Sequence, residues 1–372
     1  MFLPVIFLRD FGLWGWIVFA IPNVIGAAAM GWVLAKPGLG ERLVREHAGA
    51  CAAFSIVTIA FHVFFVLWFI PRLVGLPFAA AAFALVAIYL LATATRPKSD
   101  LPSGILVWFF SIAMLVWFLR GVHHPTLPIT GTHPAVSSLW IAPVCVFGFL
   151  FCPYLDLTFH RARQAVDETG SRLAFGLGFG VCFLLMIVFT LLYATTLMPL
   201  LSEQWREHLR PALGAVIAAH MIVQAAFTIS VHTRSFVTAQ VSRGSVLGLL
   251  VFAQVAVFLG LASYLLPRYH GRDPGEIIYM LFMGCYALIF PGYVWLCMIP
   301  GRDGQTGPTP AKLRALLLAV VVALPMLWMG FIEGHLAWLA PGIAVMLVSR
   351  YTIVVRPARA DVILNEVKDL AR

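Results

Sequence analysis

The chain has 372 residues, of which 61% are hydrophobic and only 11% charged. Its mean hydropathy of +0.94 is more apolar surface than a water-soluble domain can bury. A formal net charge of +9 would suit nucleic acid, but the basic residues fall singly in loops and form no patch, which excludes that partner.

Eleven apolar stretches follow one another, at roughly 12–35, 48–71, 74–95, 101–120, 138–158, 172–199, 211–232, 244–267, 275–299, 312–332 and 334–349. Most are long enough to cross a hydrocarbon core of ~30 Å as helices. The expectation is an all-α polytopic membrane protein with eleven spans, or ten if the last two merge across Glu333–His335. No polar gap is long enough for a separate domain. Residues 1–349 read as one transmembrane domain and 350–372 as a cytoplasmic tail. The N-terminus lacks a basic region and a small-residue cleavage site, so no signal peptide is expected.

Lys and Arg are distributed unequally between alternate loops. Those after the first, third, fifth, seventh and ninth spans, together with the tail, carry 18 of the 25. The positive-inside rule then sets the N-terminus outside and the C-terminus in the cytoplasm, in a cell membrane such as a bacterial inner membrane.

In chain order, the first irregularity is Pro22-Asn23, where a proline and an amide interrupt the first span. It reads either as a polar cavity lining or as a kink whose Asn bonds a neighbour, with Ala27 and Gly31 giving close packing. His123, His124 and His133 lie in a Pro-rich external loop and read as solvated. The sharpest segment is Phe151-Cys152-Pro153-Tyr154-Leu155-Asp156-Leu157-Thr158-Phe159-His160-Arg161. Pro153 removes a donor and frees carbonyls, and Asp156 stands one turn before His160. This is either a broken helix offering a carboxylate to a polar substrate, or an interfacial helix end with Asp156 paired to His160 or Arg161.

Gly176 and Gly180 form a small-x-x-x-small pair suited to helix contact. The seventh span ends in Gln224, Thr228, Ser230, His232 and Thr233. Its hydroxyls suit a hard cation such as Na⁺ and its histidines suit protons, although Ser and Thr also bond back to their own helix. His220 and His232 are twelve residues apart, about 120° in azimuth, a poor arrangement for two stacked haems. The six cysteines all lie in apolar stretches without a C-x-x-C pair, which gives neither a disulfide framework nor a metal site. Glu333 and His335 read as caps of a tight external turn. No G-x-S-x-G, H-E-x-x-H or Walker pattern is present, so an enzyme is not expected.

The stretch from Cys152 to Gly180 resembles the sodium/solute symporter family, at the point where its broken sixth core helix runs into a basic loop and a Gly-containing helix. The residues that carry the resemblance are Cys152-Pro153, Arg161-Ala162-Arg163, Ser171-Arg172-Leu173-Ala174 and the glycines after them. The family's Gly before the proline is Cys152 here. Trp14–Lys36 is similar to that family's second core helix, which leaves the first core helix without a counterpart except Met1–Leu8. The resemblance implies a LeuT-type inverted repeat of the APC superfamily. It also implies alternating access around a midplane site, and sodium on Thr228 and Ser230.

The reading is therefore a secondary-transporter-like permease. Its expected substrate-binding residues are Pro22, Asn23, Tyr154 and Asp156, and its ion-binding residues are Thr228 and Ser230. No cofactor is expected beyond Na⁺ or H⁺ as a coupling ion, and no resident metal. The partners are the lipid bilayer and an unidentified small-molecule solute. The alternatives are a non-transporting accessory subunit derived from such a transporter, a membrane enzyme, or a haem-binding protein.

Overall fold

The computed structural model describes residues 2–93, 96, 99–122, 127–201, 211–239, 242–300 and 306–353. His123, His124, Lys98, Arg206, Arg210, Arg302 and the tail from residue 354 lie outside the described residues. Those described form helices and connecting turns without a strand.

Nine helices among the described residues are long and apolar enough to cross a membrane. They are α1 (Leu3–Val33), α3 (Ala48–Val74), α5 (Asp100–Gly121), the segment Ala135–Leu155 containing α6 (Ser138–Phe151), α8 (Glu168–Leu201), α9 (Pro211–Thr238), α10 (Arg243–Ala262), α11 (Pro274–Met298) and α12 (Pro310–Phe331). The shorter apolar helices α4 (Leu76–Thr93) and α13 (Leu339–Val348) stand at the third and eleventh expected positions. Two short polar helices, α2 (Leu39–Glu46) and α7 (Leu157–Gln164), lie in connections. The last two segments do not merge. The chain turns at 332–335, and α13 folds back on α12 with Leu339 against Gly330 and Leu327 against Gly342.

The chain is an all-α polytopic membrane protein. α3 is the most buried of the long helices and packs chiefly against α9 and α10. α1 packs on α6 and α8, and α9 also packs on α5. Close approach is set by glycine: a Cβ at Gly26 would lie 2.1 Å from the Phe149 carbonyl oxygen, and one at Gly31 2.6 Å from Phe175 Cβ. α10 buries little of itself and turns Leu247, Leu250 and Phe258 outward. Such a face has no favourable place in water and is a lipid-facing one.

α1 begins nine residues earlier than the sequence pattern suggests. Arg9 and Asp10 look like a polar stop, yet both are partnered: Arg9 donates to Glu276 Oε1 and Oε2 at 2.7 and 2.8 Å and to Asp10 Oδ1 at 2.7 Å. The break inside α1 is also not at Pro22. The only non-helical residue in it is Gly12, with φ 62° and ψ −153°. That conformation requires glycine, and a Cβ there would fall 2.3 Å from the Ile129 carbonyl oxygen. The connecting segment 129–133 satisfies the backbone that the break exposes. Leu13 N donates to Ile129 O, Thr132 N to Arg9 O and His133 N to Asp10 O. Broken backbone at membrane depth is tolerated only where protein satisfies it in this way.

The charged loops gather at two opposite ends. At one end Arg163 donates to the carbonyls of Leu34 and Ala35, Arg161 and Arg234 share Asp100, and Arg350 donates to those of Ile299 and Pro300. At the other, Arg9 and Arg272 share Glu276 while Arg72 and Trp68 share Asp273. Successive membrane helices alternate in direction between these ends.

Candidate functional site

Three departures from α-helical geometry border one space. α6 tightens at Cys152–Leu155 and ends in extended backbone at Asp156. α8 widens into a π-helical stretch over Gly178–Phe183, and α11 does the same over Cys285–Ile289. Pro153 accounts for the first, because it has no N–H to continue the ladder. π-helical stretches insert a residue into a helix and recur at functional sites.

These stretches, with α1, α3, α5 and α9, line a cavity of about 550 Å³. That volume lies within the ~300–1,000 Å³ of small-molecule sites. Eleven aromatic side chains contribute to its walls, among them Phe19, Phe54, Trp108 and Phe227. Its polar groups are few: Asn23, Thr58, His62, Asp156, Thr190, Gln224, Thr228, His232 and the hydroxyls of Tyr279 and Tyr286. At Gly178 and Gly284, both on the wall, an added Cβ would meet nothing within 4 Å.

Asp156 sits at one pole. It is the N-cap of α7, its Oδ1 accepting from Thr158 N at 2.8 Å and Thr158 Oγ1 at 2.7 Å. Oδ2 has no hydrogen-bond donor of this kind; His232 Nε2 stands 4.0 Å away. His232 is oriented from behind by Ser55 Oγ, 3.2 Å from Nδ1. On α3, His62 Nδ1 lies 2.7 Å from the Thr58 carbonyl, so Nδ1 carries the proton and Nε2 is the acceptor of the neutral ring. Thr58 donates to the Phe54 carbonyl at 2.8 Å and so accepts from Tyr286 Oη at 2.8 Å. Gln224 Nε2 donates to Ser111 Oγ at 3.0 Å.

Of the six residues singled out from sequence, the structure brings Asn23, Asp156 and Thr228 onto this cavity. Pro22 is buried in α1 beside it. Tyr154 is half-buried off the cavity, and its carbonyl accepts from His160 Nε2 at 2.8 Å. Ser230 faces away, bonded to Thr93 Oγ1 at 2.9 Å and to Arg234. The two halves of the expected ion site therefore separate. Residues two apart on a helix point about 200° apart, and the Thr228 hydroxyl donates back to the Gln224 carbonyl at 2.9 Å.

The pairing of Asp156 with His160 or Arg161 is not made. His160 turns to Tyr154, and Arg161 pairs with Asp100. Burial lowers the His160 pKa despite that bond and the nearby Asp156 and Glu41 carboxylates. His220 is fully buried on α9 against Phe189, away from the cavity. A Cβ added at Gly176 would lie 3.3 Å from Trp32, but one at Gly180 would meet no other helix within 4 Å, so the glycine pair is not a continuous helix contact. Glu333 closes the 332–335 turn by accepting from Trp328 Nε1 and Tyr269 Oη, while His133 stacks on Phe11.

His62, Thr58, Trp108 and Tyr286 line the cavity without having been singled out. His62 carried a signal, a lone titratable residue in an otherwise apolar span. The others resemble ordinary core residues in sequence. Among the described residues, no group of three His, Cys, Asp or Glu is placed to hold a metal ion. No protein-family model, curated protein or solved structure matches this chain.

Proposed function

We propose that the protein is a permease of secondary-transporter type, moving a small solute by alternating access between helix bundles. The observation that carries this reading is convergence: three helix irregularities, each on a different membrane helix, border one drug-sized cavity. Irregular backbone in a membrane core is costly unless protein satisfies it or it lines a cavity, and transporters build their sites from interrupted helices such as α6 at Asp156. The asymmetry of Lys and Arg between the loops supports a C-terminus in the cytoplasm. Thr228 and Ser230 point apart, so this reading places the coupling ion on neither of them.

The test is uptake by proteoliposomes offered a panel of ammonium, amino-acid, sugar and carboxylate solutes under an imposed Na⁺ or H⁺ gradient. Gly284→Phe places a ring where the wall now leaves open space and is expected to abolish uptake while the protein still folds. No uptake of any solute above empty liposomes refutes the permease and leaves a non-transporting membrane protein, whereas uptake unchanged in Gly284→Phe refutes this cavity as the route.

A further inference from the structure

We infer that the cavity takes an organic monocation with an apolar body, an alkyl- or arylammonium, whose charged head lies at Asp156. The inference rests on the cavity being a binding site, as the permease reading requires.

Among the described residues on the wall, Asp156 is the one formally charged side chain; no Lys or Arg contributes. Arg161 and Arg234 belong to a separate cluster, directed onto Asp100. Asp156 is 9% exposed, and its Oδ1 is committed to capping α7. Oδ2 is left with only a histidine at 4.0 Å. A largely buried carboxylate with no cation beside it is an unbalanced charge, and an incoming cation restores the balance. An anion would meet the same charge as repulsion.

The remaining wall selects the body of the ligand. On α3 the lining runs from Phe54 to His62 and on α11 from Tyr279 to Ala287, end positions eight residues apart in each, so the space runs at least about 12 Å along these helices. Over that length most of the lining is aromatic or aliphatic. Aromatic faces attract ammonium groups and accept apolar chains, whereas they offer no partner to the two charges of a dicarboxylate.

The test is equilibrium binding of benzyltrimethylammonium to the full chain in nanodiscs, against benzenesulfonate and benzyl alcohol as anionic and neutral counterparts. Saturable binding is expected for the cation alone. Asp156→Asn removes the charge but keeps an oxygen able to cap α7, since Asn caps as well as Asp, so this variant is expected to fold. It is expected to weaken the cation roughly tenfold to a hundredfold, the scale of one close charge pair at intermediate dielectric. Asp156→Glu should restore part of the loss, and Trp108→Ala should weaken binding independently of charge. Equal binding of sulfonate and ammonium, or no loss in Asp156→Asn, overturns the inference. Cation binding without flux would remove the permease and keep the ligand class. Flux of a neutral or anionic solute that Gly284→Phe blocks would do the reverse.

Discussion

Glu276 offers the most direct view of what holds the broken first helix in place. Its carboxylate is 1% exposed and carries two guanidinium groups, Arg9 with bonds of 2.7 and 2.8 Å and Arg272 at 3.1 Å. With Asp10, the four side chains balance in charge. Glu276→Gln keeps the shape and leaves one uncompensated positive charge between two arginines. Breaking a buried pair from one side costs about 3–5 kcal/mol. Arg9 and Arg272 side chains are 22% and 19% exposed and Asp10 remains, so the lower end, about 3 kcal/mol, is expected. For a chain of this size that is a fall in Tm of roughly 4 °C, followed by tryptophan fluorescence in nanodiscs. Arg9→Met and the double variant complete a cycle, in which a coupling of about 1–3 kcal/mol is expected for residues in one network. A shift below about 1 °C, or strictly additive single changes, would refute the network as the tie between α1 and α11.

Two further outcomes follow from other parts of the fold. Burial holds the His47 and His160 imidazoles below the ordinary histidine pKa, His47 beside Tyr293 Oη at 3.0 Å and His160 on the Tyr154 carbonyl. The unfolded chain then binds more protons than the folded one as pH drops below about 6.5, so stability is lost on acidification through that range. Thermal unfolding at pH 7.5 and 5.5 should show the drop, and His47→Gln with His160→Gln should flatten it; an unflattened profile assigns the effect elsewhere. Gly12→Ala forces a side chain into a left-handed conformation and onto the Ile129 carbonyl, and should cost about 3 kcal/mol or more. Wild-type thermal stability in that variant would mean that the segment over Gly12 yields freely.

The membrane character and the order of the helices were legible because lipid imposes a one-dimensional rule: apolar length decides what can cross. Whether Leu339–Val348 merges with α12 stayed open in the sequence, because only Glu333–His335 lies between them; the structure reverses the chain there and sets Leu339 against Gly330. Asp156 was legible for a similar reason, as a carboxylate at the edge of an apolar stretch behind a proline. Ser230 shows what pattern alone misses. It lies two residues from Thr228 in the same polar run, and only helical azimuth and the arrival of Arg234 place it outside the cavity. Arg9 and Glu276 are 267 residues apart, and nothing local ties one to the other. The aromatic walls stayed hidden because Phe54 or Trp108 facing a cavity is, in sequence, the same residue as one facing a neighbour.

The central claim is that a cavity between helices opens in turn to both sides of the membrane. With the six cysteines replaced, Asn23→Cys puts a single thiol on the cavity wall, within reach of membrane-impermeant maleimides added to either side of oriented vesicles. The account predicts labelling from both sides, with a ligand of the cavity protecting the thiol from each. A thiol that reacts from neither side, or from one side only under every gradient and ligand, would contradict it.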